Sequence, residues 1–246
     1  METGTFLTAE WRWLAMINYE IDPAILRPHV PSGTELDSWQ GHTFVSVVGF
    51  LFLNTRVLGL PIPFHRNFEE VNLRFYVRRK GPEGWRRGVV FIKEIVPRPA
   101  IATVARVVYN ENYEAMPMRH RLETESAARA PKLKQNGTVE YAWRHKGRWN
   151  SLNVRTKGEA QALVPGSEEE FITEHYRGYA AQRDGGCVEY RVEHPPWLVW
   201  QVSEAALDCD VTAVYGAQYA GCLRAAPSST FLAAGSPVSV RRGVRI

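Results

Sequence analysis

Between Asn67 and Arg78, apolar and polar side chains alternate with the period of a strand. Val71, Leu73, Phe75 and Val77 fall on one face, and Glu70, Asn72, Arg74 and Tyr76 on the other. Trp11 to Tyr19 reads as an opening strand. Thr43 to Leu53 is apolar on both sides, as expected of a strand buried on both faces. Gly88 to Val96, Ala100 to Tyr109, Thr138 to His145 and Trp149 to Thr156 show the same short runs, as do Val188 to Val192, Trp197 to Val202 and Val238 to Val244. Helix signals are few. Asp22 can cap a short helix with Pro23 at its first position, running to about Val30 and stopping at Pro31. Ser167 to Gln182 predicts a longer one: Ser167 caps, Glu168 to Glu170 sit in the first turn, and Phe171, Ile172, His175, Tyr176 and Tyr179 recur at helical spacing. Gly185-Gly186 would end it. Many short strands with a few peripheral helices predict an α+β fold, mostly antiparallel β. A closed or conical β-barrel would protect its edges.

Composition narrows this picture. No Ser/Gly/Pro-rich linker and no internal repeat divides the 246 residues, so residues 1–246 read as one domain. Hydrophobic residues at 45% and aromatics at 11%, with eight tryptophans, supply a sizeable core. The net charge is +4, and the densest basic cluster is Arg78, Arg79, Lys80, Arg86 and Arg87, which flank Gly81-Pro82-Glu83-Gly84. That is the solvated tip of a hairpin. It lacks the long basic stripe interleaved with aromatics that a nucleic-acid groove needs. Cys187, Cys209 and Cys222 are odd in number and widely spaced, which fits neither a disulfide framework nor a zinc knuckle. The first ten residues lack a basic start and an apolar stretch, and Ser46 and Gly49 interrupt the longest apolar run. No membrane span is expected, and the cytoplasm is the expected location. Phosphate-binding glycine loops, a GxSxG elbow and HExxH are absent, and the seven histidines are scattered singly, so no metal is expected.

The segment Asp22 to Pro31, followed by Glu35-Leu36-Asp37, resembles a stretch of acetoacetate decarboxylase in which a short helix ends in a Val-Pro step. The apolar strand from Thr43 and the Pro61-Ile62-Pro63 loop fit as well. The likeness broadens toward the YqjF-like relatives of that enzyme. It takes in Asn72-x-Arg74-x-Tyr76-Val77, Arg87-Gly88-Val89-Val90-Phe91, Ala105-Arg106, Tyr109, Tyr113 and Met116. It continues through Glu170 to Tyr179 and the tail from Pro227 to Val238. Each piece is short; their order along nearly the whole chain is the signal.

The resemblance implies an acetoacetate decarboxylase-like fold and, at its catalytic stretch, a lysine that forms a Schiff base with a β-keto acid. That stretch falls on Phe91-Ile92-Lys93-Glu94, so Lys93 matches the imine-forming lysine, and Arg12 matches an arginine near the active site. Two departures stand out: Glu94 replaces a second lysine, and the decarboxylase's loop glutamate has no partner near Leu58 to Pro63. Strict alternation would put Lys93 beside Phe91 and Ile95, an apolar setting that favours a neutral amine, with Glu94 on the opposite face. Asn72, Arg74, Tyr76 and Arg106 are the expected ligand-binding residues, with Arg74 and Arg106 offering forks to a carboxylate. Three readings follow. One is a cofactor-independent, decarboxylase-like lyase acting on a small keto acid or aldehyde. Another is a non-catalytic protein that binds a small acidic or aromatic ligand on the same fold, and over both readings the expected partner is a small acidic or carbonyl-containing molecule. The third is a structural or partner-binding domain. A homo-oligomer is compatible with each.

Overall fold

A computed structural model describes residues 4–103, 110–125 and 133–246. Among them run fifteen strands. The first six are β1 (Thr5–Glu20), β2 (Glu35–Leu36), β3 (Phe44–Val57), β4 (Leu60–Pro61), β5 (Phe68–Gly81) and β6 (Gly84–Val96). Then follow β7 (Tyr113–Ala115), β8 (Met118–Leu122), β9 (Thr138–His145), β10 (Arg148–Gln161) and β11 (Arg177–Ala181). The last four are β12 (Cys187–Glu193), β13 (Val199–Asp208), β14 (Ser229–Arg241) and β15 (Val244–Arg245). They form one sheet, twelve of them in the order β15-β12-β11-β6-β5-β3-β1-β14-β13-β10-β9-β8, with β2 paired to β5, β4 to β3 and β7 to β6. Pairing is antiparallel except where β6 meets β7 and β11. β12 also pairs with β14, through Val192 and Glu193.

The central strands are buried on both faces, as the apolar run in β3 requires. Val45 and Val47 join Val71, Leu73 and Phe75 in one core cluster. Phe44, Val48, Phe50 and Phe52 join Met16, Phe68 and Phe231 in the other. The β5–β6 hairpin closes on a two-residue loop, Gly81 facing Gly84. Its arginines are ion-paired: Arg78 to Glu35 and Arg87 to Asp37 at 2.7 Å each, and Arg86 to Glu83 and Glu189.

Two expected elements are corrected. The predicted helix from Ser167 to Gln182 ends at Thr173; Ser167 caps it by accepting from the Glu170 amide, and Arg177–Ala181 is strand β11. Packing overrides the helical spacing there. Gly178 lies against the Tyr190 ring, where a Cβ would stand 2.1 Å from Cζ, so β11 can approach β12 only without a side chain at that position. Gly185, at φ +82°, turns the β11–β12 hairpin instead of ending a helix. The predicted strand Ala100 to Tyr109 opens as a helix over residues 99–103, with Pro99 at its start, and residues 104–109 lie outside the described set. The first helix is Pro23–Leu26, capped by Asp22, and continues as a 3₁₀ turn over Arg27–His29.

Candidate functional site

A cavity of about 250 Å³ opens on the aromatic face of the sheet. One wall is hydrocarbon. Trp11 meets Phe50 and Phe52 edge-on with centroids 5.5 and 5.8 Å apart, and Phe52 stacks on Phe68 at 4.6 Å. The polar part of the lining adjoins it on the same sheet and comes from three neighbouring strands: Glu70, Asn72 and Arg74 of β5, Glu94 of β6 and Tyr113 of β7, with Glu111 just before it.

The polar wall is a network of carboxyls. Asn72 Nδ2 donates to Glu70 Oε1 at 3.0 Å, and Tyr113 Oη donates to Glu70 Oε2 at 3.3 Å. Tyr190 Oη donates to Glu111 Oε1 at 2.6 Å. Glu94 is 1% exposed, and its Oε2 has no hydrogen-bond partner. It lies against Glu111, and a bond between two carboxyls needs a proton on one of them. Burial, then the charges of Glu111 and Glu70, holds the Glu94 carboxyl well above the usual range, so the proton resides there. Burial pushes Glu70 up to about 7, and Glu111 likewise. Arg74 is buried; its Nη2 donates to the Ile172 carbonyl at 3.1 Å, while its Nε has no partner. His175, also buried, is held neutral by desolvation and by the nearby charges of Arg87 and Arg74.

The residues expected to carry function divide. Asn72 and Arg74 line the cavity. Tyr76 does not: it is fully buried beside it, 2.6 Å from Ser46 Oγ, with its ring against Phe171 and His175. Arg12 is turned away, bound to Glu10 at 2.7 Å, while its neighbour Trp11 faces the cavity. Arg106 lies outside the described residues.

Lys93 also faces away. Between Leu73 and Arg74 the pairing partner on β6 jumps from Lys93 to Phe91, leaving Ile92 as an extra residue. This bulge breaks the expected alternation. Phe91 and Glu94 both reach the cavity, whereas Lys93 shares the side of Leu73, and its Nζ binds Glu114 Oε2 at 2.8 Å. Among the described residues, no lysine lines the cavity. Sequence reasoning missed Glu94, Glu111, Tyr113, Tyr190 and His175 as lining residues. The one available signal was a glutamate within the apolar run Val89 to Val96.

Residues 8–237 match the DUF2071 family, described as "Uncharacterized conserved protein". The chain belongs to the DUF2071 family. It is 27% identical over 208 residues to the uncharacterized protein YqjF of Bacillus subtilis (strain 168), covering 84% of this chain and 80% of that one. Among solved structures, the acetoacetate decarboxylase of Legionella pneumophila matches with a TM-score of 0.69 at 13% identity, over 99% of this chain and 88% of that one. The enduracididine biosynthesis enzyme MppR, with HEPES buffer bound, matches with a TM-score of 0.68 at 12% identity, over 100% and 89%. At such identities the likeness is one of fold: this DUF2071 chain has the acetoacetate decarboxylase-like, mostly antiparallel architecture with few helices. None of the described helices is long and apolar enough to cross a membrane.

Proposed function

We propose that this DUF2071 protein binds a small molecule in the aromatic cavity, with the apolar body on the Trp11–Phe52 wall and a polar head on the carboxyl wall, and does not use a lysine imine. The observation that carries this reading is the bulge at Ile92, which turns Glu94 into the cavity and Lys93 out of it. The double pairing of β12 with β11 and β14 supports a barrel-like sheet around the ligand. Borohydride reduction in the presence of β-keto acids and aldehydes should leave Lys93 unlabelled by mass spectrometry. A screen of small aromatic compounds should raise the melting temperature, since a ligand that binds only the folded state at about 100 times its Kd adds about 2.7 kcal/mol. Labelling of Lys93 would overturn the reading.

A second reading, lyase-type proton transfer on a small carbonyl compound, is favoured by the carboxyls of Glu70 and Glu111 standing near 7, where they can give and take a proton at neutral pH. Arg74 Nε is an available donor for the carbonyl oxygen. Incubation of ketones with the protein in heavy water, followed by NMR, tests this: α-hydrogen exchange that disappears in Glu111→Gln supports it, and unaccelerated exchange excludes it.

A further inference from the structure

We infer that the cavity is built for an organic cation, a primary amine carried on a small apolar body, with its ammonium group between Glu94 and Asn72. The inference rests on the binding reading above and names the ligand's class. Asn72 and Glu94 face each other directly in the β5–β6 register, on the cavity side. Side chains so paired stand about 5 Å apart at their Cβ atoms, close enough for one donor group to reach both. Each is 2% exposed or less, and each carries an acceptor oxygen without a partner, Asn72 Oδ1 and Glu94 Oε2. Buried acceptors are normally satisfied, so these two call for donors from outside the protein.

A neutral hydroxyl could satisfy one acceptor. It would leave Glu94 crowded by Glu70 and Glu111, whose charges disfavour its ionised form. A cation answers both demands: it supplies several N–H donors, and its charge favours the ionised form of Glu94 that Glu70 and Glu111 otherwise oppose. Among the described residues, none of the protein's own cations at the cavity hydrogen-bonds Asn72 or Glu94, although Arg74 Nε has no partner. Arg177 binds Glu189, and Arg74 donates to the Ile172 carbonyl. Burial keeps His175 and His194 neutral. Among the described residues, no three His, Cys, Asp or Glu side chains are arranged to hold a metal ion. Beside them on the same sheet, Trp11, Phe50, Phe52 and Phe68 would receive the hydrocarbon part and offer ring faces to the charge.

The test uses three probes that share a phenyl-alkyl body on the full chain by calorimetry at pH 7.5: phenethylamine, 2-phenylethanol and 3-phenylpropionate. Phenethylamine should bind at least tenfold more tightly than the alcohol, and the acid should bind weakest. Glu94→Gln should cut amine affinity at least tenfold and leave the alcohol unchanged. If that variant fails to fold, the comparison of probes on the unaltered protein still decides. Equal binding of amine and alcohol would overturn the amine assignment while leaving the binding reading intact. Preference for the acid would do the same and move the head group to Arg74 Nε. Tighter binding of Zn²⁺ or Mg²⁺ alone than of the amine would replace the organic cation with a metal. Binding of none of these would sink both readings.

Discussion

Lys93 and Glu94 are adjacent in the chain, yet one is an outer ion pair and the other the floor of the cavity. Lys93→Met should therefore change stability by no more than about 1 kcal/mol in urea unfolding, the value of a partly exposed ion pair, and should leave ligand binding intact. Glu94 is a different case. Glu70, Glu94 and Glu111 all have folded-state pKa values raised above the ordinary 4.5, so the folded protein holds protons that the unfolded chain releases. Their contribution is most favourable below about 4.5. It is lost as the pH rises toward about 7, where Glu70 and Glu111 ionise, and for Glu94 as the pH rises through its own raised pKa. Glu94→Gln should accordingly be more stable than the parent at pH 8, by an amount on the order of 2 kcal/mol, with the gain shrinking at pH 5. Urea unfolding at the two pH values measures this; a gain independent of pH would contradict it. Asn72 and Arg74 were legible in the sequence because β5 alternates without a break over them. Glu94 was not, because one extra residue upstream inverts its phase and leaves no mark in composition. Glu111 and Tyr113 belong to a short parallel edge, and three residues carry no period to read.

At the scale of elements, β11 is the instructive error. His175, Tyr176 and Tyr179 recur as on a helix, yet Arg177–Ala181 pairs as a strand. Tertiary packing decides between the two, and Gly178 is the only local sign of it. Gly178→Ala would drive a methyl group into the Tyr190 ring, whose hydroxyl holds Glu111. Overpacking of this kind costs roughly 1–3 kcal/mol. The variant should also lose ligand affinity, because Tyr190 must move to make room. A variant that binds normally would separate β11 from the site. The long strands β3, β5 and β9 were readable because both core clusters impose their pattern on them. The helix over residues 99–103 was not, since Val-, Ala- and Ile-rich sequence reads as strand when only pattern is available.

At the scale of the molecule, β1 lies between β3 and β14, so residues 5 and 241 are register partners. Such pairing spans the chain and must wait for the C-terminal strand, which makes folding slow, in the range of milliseconds to seconds or beyond. A chain ending before Ser229 lacks β14, exposes the apolar edge of β1 and should not reach native far-ultraviolet circular dichroism; a folded truncation would show that the sheet tolerates the gap. The mostly antiparallel class with few helices and the family likeness were visible in the order of short motifs. The sheet order was not, because no local pattern states which distant strand is the neighbour.

The bulge at Ile92 has a wider meaning. It acts as a phase selector: shifted two residues further along β6, beyond Glu94, the same sequence would present an amine to the cavity where it now presents an acid. One irregular hydrogen-bonding step thus sets the sign of charge in the pocket. Strand register, as much as residue identity, determines which chemistry this scaffold carries.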